Sequence, residues 1–99
     1  MLNYYFTNKA VEDLTDIWDY TFHKWSEQQA DKYYIMLIDN CKLIAQDPII
    51  GNVYDGVFDQ LFGHRSGRHI IFYRIINDSK IEITRILHEK MDLKNRIIE

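Results

Sequence analysis

The first half of the chain places apolar and polar residues with the period of an α-helix. Residues 2–6 form a short aromatic run with strand preference. Thr7 follows as a candidate N-cap, and Asn8 is the second choice. Apolar side chains then recur at steps of three and four, which predicts an amphipathic helix. Its apolar face consists of Ala10, Leu14, Ile17, Trp18, Thr21 and Trp25.

A second helix is predicted to begin at the capping box of Ser26 and Gln29 and to run to about Gln46. Pro48 cannot continue it, because proline lacks the backbone N–H that a helix needs. Two helices separated by one or two residues most simply fold back as an antiparallel hairpin. The apolar side of the second helix consists of Ala30, Tyr33, Tyr34, Leu37, Ile38, Cys41, Ile44 and Ala45.

After Gly51 the pattern becomes extended. Residues 57–64 are a candidate strand, and residues 68–76 are apolar at most positions, which is typical of a strand in the middle of a sheet. A turn at residues 77–79 leads into a returning strand, 80–88, and residues 92–98 form a last helical turn. Strict alternation puts two sets of residues on opposite faces of the returning strand. They are Ile81, Ile83, Arg85 and Leu87 on one face, and Glu82, Thr84, Ile86 and His88 on the other.

This order of elements predicts an α+β fold in a single domain spanning residues 1–99. An N-terminal strand precedes the antiparallel helical hairpin, which packs on a small, mainly antiparallel sheet. We place Trp18 and Leu37 in the core between helices and sheet.

Composition agrees with a folded domain, since 46% of the residues are hydrophobic and 14% are aromatic. No apolar run approaches the roughly 20 residues of a membrane helix, and the first residues do not resemble a signal peptide. The single cysteine, Cys41, cannot form an internal disulfide, which suits a reducing cytoplasm. We therefore expect a cytoplasmic protein with no membrane association.

The net charge of −3 hides an uneven distribution. Residues 1–63 contain four Lys and no Arg against ten acids, whereas residues 64–99 contain eight Lys and Arg against five acids. The acidic total argues against general nucleic-acid binding. The C-terminal third is nevertheless basic enough to present a local positive surface.

The sequence lacks a glycine-rich phosphate loop, a dinucleotide fingerprint and a Cys-x-x-Cys pair, and its four histidines lack the spacing of zinc ligands. We expect neither a metal nor a cofactor. Cys41 falls on an apolar helix side, which indicates a buried, unreactive thiol. The acids of the first helix are best explained as a solvated face.

Two groups of residues have chemistry to offer. The first surrounds Gly67 and contains His64, Arg65, Arg68 and His69. Arginine forks at a turn suit a phosphate or an acidic partner, but a hydrophilic hairpin turn explains the same residues.

The second group runs from Arg85 to Asp92 at the end of the last strand. An arginine between isoleucine and leucine is costly unless its charge is paired or reaches the surface. Both a functional and a structural role therefore stay open for Arg85. His88 has the same two interpretations, a site residue or a satisfied core histidine.

These same residues carry a resemblance to a family. Residues 67–74, followed by 83–88 and closed by Met91 and Asp92, resemble the ParE branch of the RelE/ParE toxins. Upstream, residues 7–20 and 29–51 are similar to the two helices of that family and the exit from the second. The chain departs from the pattern at Asn52, where many relatives carry a basic residue, and at Leu61 and Phe62, where many carry an Arg.

The resemblance implies the toxin component of a type II toxin–antitoxin system that poisons DNA gyrase without a cofactor and without acting as a catalyst. A cognate ParD-type antitoxin would neutralise it in a hetero-oligomer, and only the antitoxin would contact DNA. The resemblance does not specify the antitoxin-binding residues. We expect the target to be bound by Arg65, Arg68, Arg85, His88, Met91 and Asp92.

Two other functions compete with gyrase poisoning. One is a ribosome-dependent mRNA endonuclease of the RelE branch. That chemistry needs cations that stabilise the developing phosphorane charge and groups that transfer protons, and Arg65, Arg68, Arg85 and His88 would supply part of this. Relatives of that branch usually carry a catalytic Tyr or Lys near the C-terminus, and this chain has no Tyr after Tyr73. The other is a protein-binding module without toxicity.

Overall fold

The computed structural model describes residues 2–54 and 60–97. It confirms the α+β fold with an N-terminal strand, a helical hairpin and a short C-terminal helix. The elements in chain order are β1 (Asn3–Phe6), α1 (Asn8–Lys24), α2 (Glu27–Gln46), β2 (Asn52–Val53), β3 (Phe62–Ser66), β4 (His69–Asn77), β5 (Lys80–His88) and α3 (Leu93–Ile97).

Both long helices begin at the predicted caps. The Thr7 hydroxyl accepts a hydrogen bond from the N–H of Ala10 at 3.1 Å, and the Ser26 hydroxyl accepts one from the N–H of Gln29 at 3.1 Å. These bonds satisfy backbone donors that have no partner within the first turn of a helix. Two short polar residues therefore define where α1 and α2 start.

The sheet has the strand order β1-β5-β4-β3-β2. β1 runs parallel to β5, and the other neighbouring strands are antiparallel. The apolar strand β4 lies in the middle, as predicted, and has a separate hydrophobic cluster on each face. Between the helices and the sheet lie Ala10, Leu14, Leu37, Cys41, Ile44, Ile71, Tyr73, Ile81, Ile83 and Ile86. The opposite face is covered by the cluster of Leu61, Ile70, Phe72, Leu87 and Ile97.

The predicted faces of β5 were wrong beyond Ile83. Phe72 pairs with Arg85, while the next residue, Tyr73, pairs with Ile83, so Thr84 is an extra residue in β5. Such a β-bulge reverses the alternation of side chains after it. Ile83, before the bulge, lies on the helix side. Arg85, after it, pairs with Phe72, which belongs to the opposite cluster. Leu87 belongs to that opposite cluster too, and Ile86 returns to the helix side.

The apolar faces of the helices were predicted too wide. Leu37 is completely buried as expected, but Trp25 is 70% exposed and Tyr34 is 41% exposed. Trp18 is outside the core and half-buried; it stacks on Phe22, and its indole N–H donates to Asp31 at 3.0 Å. A single small sheet covers only one narrow side of each helix, so the remaining aromatic residues stay between the helices or in solvent.

Two smaller predictions gain detail. Residues 55–59 lie outside the described part of the chain, so the candidate strand at residues 57–64 can be compared with the structure only from residue 60 onward. In that part, β3 begins at Phe62. Cys41 is buried as predicted, and burial raises the pKa of its thiol to about 12. None of the helices formed by the described residues has both the length and the apolar character needed to cross a membrane.

Candidate functional site

The two groups of residues singled out in the sequence meet at one end of the sheet. His69, at the start of β4, pairs with His88, at the end of β5. One residue further out, the N–H of Glu89 donates to the carbonyl of Arg68 at 2.9 Å. The turn of residues 65–68, called the arginine turn below, therefore lies directly beside the segment that follows β5.

The two arginines of the turn are exposed and share one carboxylate. The guanidinium groups of Arg65 and Arg68 both pair with Glu89, the second at 3.3 Å, and their side chains are 65% and 73% exposed. The hydrogen bond from Arg65 is the main reason that the pKa of Glu89 is lowered. Ion pairs this exposed contribute little to stability, so both guanidinium groups can exchange Glu89 for another anion.

The backbone of the arginine turn is held by α2. The hydroxyl of Tyr33 accepts a hydrogen bond from the N–H of Arg68 at 2.9 Å and lies 2.6 Å from Nδ1 of His69. Asn40, two helical turns further along α2, donates to the buried hydroxyl of Ser66 at 2.9 Å. Its amide oxygen accepts from Nε2 of His64 at 2.9 Å. The helix α2 thus contacts the β3–β4 hairpin on both sides of Gly67.

A groove of about 480 Å³ lies between α1 and the end of β5. Burial lowers the pKa of His69 to about 4, with a smaller contribution from the neighbouring His88 ring, so His69 is neutral near pH 7. The Nδ1 atom of His88 accepts a hydrogen bond from the N–H of Lys90 at 3.1 Å. The groove is lined on its two sides by Asp16, Ile17, Tyr20, His88, Lys90 and Met91.

Arg85 is buried, and the structure gives it protein partners. Nε and Nη2 of Arg85 donate to the two carboxylate oxygens of Asp13 at 2.8 and 2.9 Å, and Nη1 donates to the carbonyl of Arg96. Asp13 also accepts from the N–H of Ile86 at 2.9 Å. The expectation that all acids of α1 form a solvated face was therefore wrong for Asp13, whose side chain is only 11% exposed.

The last two candidate residues lead into α3. Asp92 accepts a hydrogen bond from the side-chain amide of Asn95 at 2.6 Å, and its carbonyl accepts from the N–H of Arg96 at 3.0 Å. It therefore stabilises the start of that short helix. Met91 is 41% exposed at the rim of the groove. Five candidates are thus reachable from solvent, namely Arg65, Arg68, His88, Met91 and Asp92, of which Asp92 also caps α3. Arg85 is buried and holds neighbouring elements.

This arrangement suits recognition of an anionic macromolecule. Arg65 and Arg68 offer exposed forks of N–H donors, which bind carboxylate or phosphate groups. Within residues 2–54 and 60–97, no three His, Cys, Asp or Glu side chains are placed to hold a metal ion. The sequence interpretation missed Asp13, Tyr33 and Glu89. Only Asp13 had a signal, because a buried Arg85 requires an acidic partner somewhere in the chain.

Comparison with known proteins gives consistent matches over nearly the whole chain. The family described as "ParE toxin of type II toxin-antitoxin system, parDE" matches residues 4–93. Toxin ParE1 of Caulobacter vibrioides is 32% identical, and Toxin ParE1 of Mycobacterium tuberculosis is 30% identical; each match covers 95% of this chain and 96% of the relative.

A solved structure described as "Chromosomal ParDE TA system from P. aeruginosa" has the same fold, with a TM-score of 0.76. It is 20% identical to this chain, and the superposition covers 89% of this chain and 96% of that one. At this level of identity the likeness concerns the fold.

Proposed function

Because this chain belongs to the ParE toxins of type II toxin–antitoxin systems, we propose that it arrests bacterial growth by poisoning DNA gyrase and that a ParD-type antitoxin neutralises it. The observation that carries the proposal is the family match over residues 4–93, which includes α1, α2, β2 to β5 and all but the first residue of β1. Gyrase is a cytoplasmic enzyme, so the proposal places the toxin in the cytoplasm.

The arginine turn and the groove beside it are proposed as the surface that binds the target. Arg65 and Arg68 are exposed there, and His88 and Met91 line the adjoining groove. An enzyme bound to DNA presents acidic side chains and phosphates, to which arginine forks are complementary. In this proposal Arg85 and Asp92 act indirectly, since they hold β5 and α3 in place.

The outer side of the helical hairpin is proposed as the surface for the antitoxin. A groove of about 460 Å³ there is lined by Val11, Trp18 and Tyr34 together with Asp19 and Asp31. Exposed apolar residues with an acidic rim suit the tail of a partner that becomes ordered on binding. Toxin and antitoxin would form a hetero-oligomer in which only the antitoxin contacts DNA.

The first test is expression of this chain alone in bacteria, followed by a gyrase supercoiling assay with the purified protein. We expect growth arrest with filamentation and a DNA-damage response, rescue by the cognate antitoxin, and loss of supercoiling activity in vitro. Replacing both Arg65 and Arg68 by Ala should raise the inhibitory concentration at least about tenfold, as expected when charge-assisted contacts are lost.

The matched control replaces Lys32 and Lys42 by Ala, because both are exposed on α2 and the double variant removes the same charge. It should inhibit gyrase like the wild type. Equal loss in the two double variants would show that total charge, rather than the arginine turn, determines inhibition. Normal growth on expression would contradict toxicity and leave the protein-binding module.

The competing endonuclease function is supported by one feature, the contact between the His69 and His88 rings at 5.2 Å beside Arg68. Two imidazoles near a guanidinium are groups that cleavage of a phosphodiester uses. Growth arrest with collapsed translation, intact DNA and mRNA cut in the ribosomal A site would favour it. If His88→Ala then abolished that cleavage, the target would be the ribosome and not gyrase.

A further inference from the structure

Tyr33 is one of two α2 residues that hold the arginine turn, and Asn40 is the other. The Tyr33 hydroxyl has one proton and accepts the N–H of Arg68 at 2.9 Å. Because burial keeps His69 neutral near pH 7, Nδ1 of that ring is free to accept the Tyr33 proton across 2.6 Å. A neutral imidazole carries a single N–H. Donation by Tyr33 to Nδ1 corresponds to the His69 tautomer with its proton on Nε2, and the two contacts together hold the ring and the turn from beneath.

The contact is tight because the turn has no side chain where it faces the helix. Gly67 has a φ of +61°, a conformation that residues with a Cβ rarely adopt. A Cβ at this position would approach the Tyr33 hydroxyl to 2.8 Å and the terminal methyl of Met36 to 2.9 Å. The backbone of the turn therefore rests directly on one face of α2, between Tyr33 and Asn40.

The two arginine side chains have much weaker restraints of their own. Both extend into solvent, and Glu89 is the carboxylate that they share. Exposed ion pairs of this kind are screened by salt and compete with water. The direction in which the guanidinium groups point consequently depends on how firmly the backbone of the turn is anchored, and Tyr33 anchors it at Arg68.

We infer that Tyr33 is a positioning residue for target binding, acting through the backbone of Arg68 and the ring of His69. This inference rests on the proposed role of the arginine turn in binding gyrase. Tyr33 lies beneath the turn with a partly buried hydroxyl, so its contribution is to orient Arg65 and Arg68 before the target arrives.

The test compares Tyr33→Phe with Tyr5→Phe, since the two variants remove the same atom and one side-chain hydrogen bond each. Tyr5 is 39% exposed on β1, and its hydroxyl donates to Glu82 at 2.9 Å. Tyr33→Phe should raise the concentration for half-inhibition of gyrase about fivefold to tenfold, the effect of one lost hydrogen bond. Tyr5→Phe should leave it unchanged, and both variants should keep the wild-type circular dichroism spectrum.

A double-mutant cycle with Arg68→Ala separates positioning from a general structural effect. If Tyr33 acts through the turn, Tyr33→Phe should change inhibition less in the Arg68→Ala protein than in the wild type. Fully additive effects, or unchanged inhibition by Tyr33→Phe alone, would overturn the inference and leave the proposed function intact.

Hydrogen exchange and imidazole nitrogen spectra report the same contact without gyrase. In Tyr33→Phe the N–H of Arg68 should exchange faster, and the His69 tautomer with its proton on Nε2 should lose its preference. A wild-type chain that leaves gyrase uninhibited would refute the proposed function and the target-binding part of the inference. Unchanged exchange at Arg68 would refute the positioning itself.

Discussion

At the scale of single residues, the buried pair of Arg85 and Asp13 explains an arginine inside an apolar strand. Beyond Ile83, β5 no longer has β1 beside it, so the N–H of Ile86 needs another partner. Asp13 supplies it and simultaneously binds Arg85 with both carboxylate oxygens. One side chain of α1 therefore neutralises a buried charge and completes the edge of a strand.

Asp13→Ala should destabilise the fold by about 3–5 kcal/mol, because it leaves a buried guanidinium and a backbone N–H without their acceptor. Asp16→Ala, one turn later and exposed, should change the free energy of unfolding by less than about 0.5 kcal/mol. Urea unfolding of the two variants measures the difference. Equal stability would mean that water replaces the carboxylate at Arg85.

The lowered pKa of His69 makes the free energy of unfolding depend on pH. The pKa of His69 is lowered from 6.5 to about 4, mainly by burial, so between these values the unfolded chain binds a proton that the folded chain does not. The free energy of unfolding should therefore fall as pH decreases from about 6.5 to about 4, with no further contribution from this group below that range.

Unfolding in urea at several pH values between about 5 and 7.5 should show this slope, and His69→Gln should reduce it. His64, whose pKa is also lowered by burial, accounts for part of the same slope, so the double variant should be flatter still. A slope that both substitutions leave intact would assign it to other groups.

The sequence was most informative about single residues when they broke a local rule. Arg85 within apolar neighbours had to be paired or to reach the surface, and the structure shows that it pairs with Asp13. Asp13 could not be selected from the acids of α1, because it lies 72 residues away and only the packing of α1 beside β5 distinguishes it. Tyr33 and Glu89 looked like ordinary helix and turn residues, since their contacts exist only in three dimensions.

At the scale of elements, periodicity and capping residues predicted both helices and the two long strands. The errors arose where geometry departs from a regular repeat. One extra residue in β5, Thr84, reversed the faces that strict alternation assigns. β2 has only two residues, which is too short to show a period. The width of the buried helix face depends on the size of the sheet, which the sequence of a helix does not encode.

Leu37 contributes to the stability of the core between the helices and the sheet. Leu37→Ala should destabilise the protein by about 2–5 kcal/mol, because Leu37 is 0% exposed between α2 and the sheet. Ile35→Ala removes similar apolar volume from the same helix, where the side chain is 57% exposed, and should change stability by less than about 0.5 kcal/mol. Thermal unfolding of both variants tests the placement, and similar melting temperatures would contradict it.

At the scale of the whole molecule, the core and two surfaces of different charge occupy separate parts of the fold. The hairpin and sheet form the main core, the outer side of the hairpin presents an acidic apolar groove, and the arginine turn presents positive charge. The uneven charge along the sequence is consistent with this arrangement. The sequence indicated both kinds of surface, but the meeting of the arginine turn with the segment after β5 follows from the antiparallel pairing of β4 with its neighbours.

The parallel pairing of β1 with β5 has a consequence for how the protein is made. Asn3 pairs with Lys80, so β1 is synthesised before the other strands of this sheet but pairs with the one that is synthesised last. At a synthesis rate of about 5–20 residues per second, β1 waits roughly 4–15 seconds for β5. A chain whose translation stops early lacks the strand that completes the sheet. The sheet of the toxin is therefore completed only after β5 has been synthesised.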